Sequence, residues 1–437
     1  MSAKPRLKME GADVASAPPT LWNRLLSLGP GLITGAADDD PSGISTYSVA
    51  GASTGLSMLW LSLITTPMMA VIQGMCARIG MVTGVGLAAN IRSSVPVWLA
   101  YAIGAVVIAA NTFNVGADFD GMSAAAHLVV PIVPVLVWDV LFAVALIVGL
   151  ILMPYRRIAE ILKWLTLSLG AYIVTAFVVH PHWGNVFSNL VIPHVTFSKT
   201  WVTTAMGVLG TTITPYLFFW QSALEIEEEK AMGRTSVQSR KGATEEEIRS
   251  AHFDVNIGML LSNAVMFFII VTTALTLFAH GKTNVQSAQD AAEALRPLAG
   301  NAAYLLFTLG MVGTGLLAIP ALAGSSAYVA AEMLPAIKRW GLDLPAKKAP
   351  RFYLVLVAGL AAGMIMPFTH LNPITALYWS AVLNGVVSVP LIFIVIRIAN
   401  DRKRMGKWCN SFLANAWSWL TFVLMGAAAV ALFALPS

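Results

Sequence analysis

Apolar runs of about 20 residues recur from one end of this chain to the other. No other feature restricts its fold so tightly, because a run of that length crosses a hydrocarbon core of roughly 30 Å as a helix. Eleven spans are expected, at 27–54, 56–79, 96–119, 131–153, 159–180, 200–224, 252–279, 301–334, 351–369, 373–397 and 411–435. A soluble domain carries about 25% charged residues; here 11% are charged and 57% apolar. The expected class is an all-α membrane protein with a polar leader over 1–26. Its first span holds Asp38, Asp39 and Asp40 and reads as a retained helix, not a cleavable signal.

Orientation follows from the basic residues, which stay on the cytoplasmic side of a membrane. With the amino terminus in the cytoplasm, all but three of the 27 Lys and Arg fall inside, among them Arg156, Arg157, Arg240, Lys241, Lys338, Arg339, Lys347, Lys348, Arg402, Lys403, Arg404 and Lys407. Only Lys199, Lys282 and Arg296 fall outside. The same alternation supports eleven spans and an external carboxyl terminus, in the cytoplasmic membrane of a bacterium. The net charge of +5 is accounted for by anionic lipid, so no nucleic acid is expected. Cys76 and Cys409 lie near the cytoplasmic face, where thiols stay reduced. No nucleotide-binding loop is present to power a pump. The mixed-charge stretch 225–251 reads as a solvated connector.

Spans one and six share an interruption. The first contains Gly35-Ala36-Ala37-Asp38-Asp39-Asp40-Pro41-Ser42-Gly43 and the sixth Gly210-Thr211-Thr212-Ile213-Thr214-Pro215-Tyr216. A mid-span proline removes a helix hydrogen bond, and the neighbouring Gly, Ser and Thr tolerate unwinding. Two broken helices at matching places point to a transporter built from inverted repeats around a mid-membrane site. The halves are 27–180 and 200–397. Five helices is an odd number, so the second half enters from the opposite side; 411–435 is an appended helix.

A lone carboxylate at mid-bilayer costs about 2.5–3.5 kcal/mol even on the lenient insertion scale. No Lys, Arg or His is expected at that depth in spans one or six, so a cation substrate is the expected partner of the Asp cluster. An Asp before Pro also caps the following helix. A carboxylate, the hydroxyls of Ser42, Thr211 and Thr214, and carbonyls freed by unwinding are hard donors that suit Mg²⁺, Ca²⁺ or Mn²⁺. Sodium coupled to an organic solute satisfies the same chemistry.

The run Gly29-Pro30-Gly31 to Asp40-Pro41-Ser42-Gly43, followed by Gln73-Gly74-Met75-Cys76-Ala77-Arg78-Ile79-Gly80-Met81-Val82-Thr83-Gly84, resembles the NRAMP metal transporters. The resemblance extends through span six and implies a leucine-transporter-type 5+5 inverted repeat that moves divalent metal ions by alternating access. In that family the first break reads Asp-Pro-Gly-Asn and the sixth Ala-x-x-Met-Pro-His. This chain keeps Asp40 and Pro41 but has Gly43 for Asn, Thr214 for Met and Tyr216 for His. Loss of the sulfur ligand and of the Asn side chain resembles the NRAMP-related magnesium transporters. The resemblance implies Asp40 as principal ligand, Thr211 as carbonyl donor, and Gly43, Thr214, Tyr216 and Asn384 lining the site.

The expected cargo is therefore partly hydrated Mg²⁺, and also Mn²⁺, with no resident cofactor and no enzyme activity. Tyr216 in place of His, and no basic residue in span nine beyond Arg351, speak against proton coupling. The alternatives are a proton-coupled Mn²⁺ or Fe²⁺ symporter and, in another class, a cation channel or Mg²⁺ sensor. Asp118 and Asp120 read as solvated ends of span three, or else as an acidic vestibule. Asn111, Asn114 and Glu332 read as bridges between helices, and His180, His182 and His194 as surface residues.

Overall fold

Both prolines interrupt the chain where the sequence places them. In the computed structural model, which describes residues 29–435 apart from 154–156, 158–166, 335, 338, 343 and 370, the first span is two helices. These are α1 (Pro30–Asp38) and α2 (Pro41–Thr54), joined by Asp39 and Asp40. Span six is likewise α7 (Lys199–Thr212) and α8 (Pro215–Ala231), joined by Ile213 and Thr214. Between them lie α3 (Trp60–Thr83), α4 (Val97–Val129), α5 (Val135–Leu152) and α6 (Gly170–Val178). After them come α9 (Glu245–Thr276), α10 (Ala303–Met333), α11 (Pro350–Gly363), α12 (Pro373–Ala399) and α13 (Phe412–Ala434).

No strand occurs among the described residues, and nine of their segments are long and apolar enough to cross a membrane. The first expected span is absent from those nine because Asp38, Asp39 and Asp40 at its join make it too polar by composition. The fifth lies partly outside the described residues, at 159–166, as do the leader 1–26, Arg156 and Lys338.

Several boundaries differ from expectation. Span three, expected to end at 119, continues as α4 to Val129, so Asp118 and Asp120 are interior to a helix. Span six runs on to Ala231 and span seven begins at Glu245, leaving 232–244 of the connector expected over 225–251. The polar end of α8 is helical because Glu225, Ile226, Glu227 and Glu229 are buried against the protein. Thr244 and Glu247 then start α9 with reciprocal capping bonds.

The helices divide by what they face. Helices α7 and α8 are enclosed by protein, whereas α5 and α13 present Leu141, Val144, Leu152, Phe412, Val430 and Phe433 outward, the apolar belt a bilayer requires. Close packing in the interior relies on missing side chains. A Cβ on Gly35 of α1 would stand 2.4 Å from the Gly258 carbonyl oxygen of α9, and one on Gly210 of α7 would stand 2.1 Å from the Ala381 oxygen of α12. The start of α1 is held by another helix: Asp254 of α9 accepts from the backbone N–H of Gly31 at 2.8 Å and of Leu32 at 3.2 Å. These are orphan first-turn donors, and Gly29 has no side chain to cap them. Asp254→Ala should cost about 1–2 kcal/mol, read as a lower thermal midpoint in detergent; an unchanged midpoint would mean that water serves those donors equally well.

Candidate metal centre

Proline at the start of a half-helix has a consequence four residues back. The carbonyls of Ala37 and Thr211 would bond to the N–H of Pro41 and Pro215, which have none. The two breaks therefore each present a carbonyl to the interior. Ser388 of α12 donates to another carbonyl at the second break, Ile213 O, at 2.5 Å. Ala37 O is taken by the phenol of Tyr216 at 2.6 Å, so Tyr216 of α8 ties span six to α1 of span one. Among the described residues, no side-chain donor meets the Thr211 carbonyl in the same way.

Asp40 is the N-cap of α2. Its Oδ1 accepts from the Gly43 N–H at 2.7 Å and from the Ser42 hydroxyl at 2.6 Å. Its Oδ2 accepts from the Asn114 amide at 3.1 Å. That amide also donates to Asp118 Oδ2 at 3.1 Å, while Asn114 Oδ1 accepts from Asn384 Nδ2 at 2.9 Å. One cluster thus joins the first break to α4 and α12. The sixth break borders it: Ser42 Oγ lies 3.5 Å from Thr211 Oγ1. A Cβ on Gly43 would meet that Thr211 hydroxyl at 3.3 Å and the Tyr47 ring at 3.4 Å. Gly43 accordingly brings the start of α2 close to the end of α7, with the Thr211 hydroxyl beside it.

Asp38, Asp40 and Asp118 are at most 2% exposed. None of the ion pairs among the described residues involves them or the buried Asp39. Asp38 and Asp39 share the Ser262 hydroxyl, at 2.5 and 3.2 Å. Among the buried oxygens with no hydrogen-bonding partner in the protein are Thr214 Oγ1 at the second break, Asn384 Oδ1, Asp118 Oδ1 and Asp38 Oδ1. Leaving a buried polar atom unmade is costly. The donor set is oxygen-rich and carries more negative charge than its hydrogen bonds offset, which fits a hard cation with some of its water.

Asp40, Gly43, Thr211, Thr214, Tyr216 and Asn384 thus come together at the two breaks. Asn114 and Asp118, expected as a helix bridge and a solvated helix end, belong with them. Their spacing of four residues, which places both side chains on one face of a helix, was the available signal. The solvated-end reading of Asp118 and Asp120 fails because α4 continues past both, leaving them 0% and 6% exposed. Asn111 does bridge helices, donating to Ser326 Oγ of α10 at 3.1 Å. Glu332 lies elsewhere and accepts from Ala89 N at 3.1 Å. His180, His182 and His194 are exposed. No group of three or more His, Cys, Asp and Glu among the described residues is arranged to hold a metal ion, so any ion at Asp40 depends on hydroxyl, amide and carbonyl oxygen.

A family model described as natural resistance-associated macrophage protein-like matches residues 31–435. Among solved structures, the Eremococcus coleocola manganese transporter in complex with an aromatic bis-isothiourea substituted compound superposes with a TM-score of 0.70 at 17% identity, over 95% of this chain and 87% of that one. Mhp1, a nucleobase-cation-symport-1 family transporter, superposes in its closed conformation with a TM-score of 0.55 at 13% identity, over 93% of each chain. At such identities these likenesses speak for the fold, a leucine-transporter-type inverted repeat with two broken helices. The match over nearly all of the described chain places this protein in the natural resistance-associated macrophage protein-like (Nramp) family of transporters, and not among enzymes.

Proposed function

We propose that this chain carries Mg²⁺, and also Mn²⁺, across the cytoplasmic membrane by alternating access, with the ion keeping part of its hydration shell and no proton moving with it. Family membership supports divalent metal transport in general. The observation that carries the finer reading is the composition of the centre: Asp40, one unpartnered hydroxyl (Thr214) and one unpartnered amide oxygen (Asn384) at two helix breaks. Mg²⁺ binds through one or two carboxylates and otherwise holds water, whereas a soft donor at position 214 would favour a transition metal. In this reading the halves 27–180 and 200–397 rock about the site, the amino terminus is cytoplasmic and the carboxyl terminus external.

One observation favours a second reading, proton-coupled Mn²⁺ symport. The Asp118 carboxylate stands a single side chain from Asp40, through Asn114, and the Eremococcus coleocola relative is named a manganese transporter. Proteoliposomes loaded with a Mg²⁺ indicator and a pH dye separate the two. Mg²⁺ accumulation without internal acidification is expected; Mn²⁺ uptake that acidifies the lumen while Mg²⁺ is excluded would replace the first reading with the second.

A further inference from the structure

Asp118 and Asp120 look like a single acidic feature in the sequence, yet two residues on an α-helix are about 200° apart around its axis. Asp118 faces the centre through Asn114. Asp120 faces away from it, toward α5, where Asp139 is its charged neighbour. Ser123, three residues along from Asp120 and so on the same side of α4, has the Asp139 carboxyl as its polar neighbour on α5.

Burial makes this arrangement costly as it stands. Asp139 and Ser123 are 0% exposed, and both carboxylate oxygens of Asp139 and the Ser123 hydroxyl lack a hydrogen-bonding partner in the protein. None of the ion pairs among the described residues reaches Asp120 or Asp139. Two neighbouring buried carboxylates, one of them with both oxygens unpartnered, and a buried hydroxyl, with no basic side chain ion-paired to either acid among the described residues, match the needs of a hard cation. The buried residues of helix α5 are Asp139, Ala143, Leu146 and Leu150, so Asp139 is the polar one among its packing contacts.

We propose that Asp120, Ser123 and Asp139 form a second divalent-cation site between α4 and α5, distinct from the centre at Asp40, taking Mg²⁺ or an ion of like hardness and fastening α5 to α4. Two carboxylates and retained water suffice for such an ion. The site does not depend on what the protein transports.

The test uses the full chain in detergent with Asp40→Asn in place, which silences the central ligand. Mn²⁺ binding followed by electron paramagnetic resonance should retain one equivalent, displaced by Mg²⁺, and saturating Mg²⁺ should raise the thermal midpoint by several degrees, as binding to the folded state requires. Adding Asp139→Asn should remove both effects, and adding Ser123→Ala should weaken the Mn²⁺ equivalent about tenfold. Should the Asp139 variant fail to fold, the Ser123 variant decides. The proposal is overturned if Asp40→Asn binds no Mn²⁺, if Asp139→Asn or Ser123→Ala binds it as tightly as their parent, or if the midpoint responds to pH and not to Mg²⁺. Each of these results leaves the transport reading standing, because that is scored by flux through the protein with Asp40 intact.

Discussion

Asp40→Asn should fold as its parent does and carry almost no metal. The structure selects Asn over Ala for this experiment, because Asp40 has two duties. Its Oδ1 caps α2 through Ser42 and Gly43, and Asn caps a helix about as well as Asp. Alanine would also remove the cap, at about 1 kcal/mol, and would confound a binding loss with a folding loss. What Asn lacks is the charge. With the carboxylate at the first break neutralised, Mg²⁺ uptake into proteoliposomes should fall about 100-fold or more, equivalent to roughly 2.7 kcal/mol of lost interaction, at an unchanged thermal midpoint. Uptake close to that of the parent would remove Asp40 from the transport path.

The second large effect is expected on selectivity. Thr214 is the N-cap position of α8 but makes no capping bond with its side chain. Its hydroxyl is buried without a partner. Replacing it therefore costs no local hydrogen bond, and Thr214→Met introduces a thioether at the second break. Soft sulfur favours transition metals over Mg²⁺, so the ratio of Mn²⁺ to Mg²⁺ uptake in competition should rise about tenfold, a change of roughly 1.4 kcal/mol. An unchanged ratio with normal folding would mean that residue 214 does not face the ion. A fall in both fluxes with a lower thermal midpoint would show that the longer side chain overfills the site.

Much of this was legible in the chain itself, for identifiable reasons. Hydrocarbon length fixes the size of a spanning helix, so the apolar runs gave the class and most of the spans. Proline chemistry is local, so Pro41 and Pro215 marked both breaks and Asp40 could be read as a cap. The boundaries failed where a polar helix is buried by its surroundings. Asp118, Asp120 and the end of α8 read as solvated because charge was taken to mean water, whereas tertiary packing encloses all of them.

What the sequence determined alone is whatever depends on neighbours along the backbone: helix length, interruption, capping and the identity of the donors near each break. What only the tertiary structure decided is which donors meet. Tyr216 spends its hydroxyl on Ala37, Asn114 and Asn384 join the centre, Asp254 holds the start of a helix more than two hundred residues away, and two aspartates two residues apart serve opposite faces of α4. Rotation about a helix axis and the approach of a distant helix set those pairings, and neither is written in local sequence.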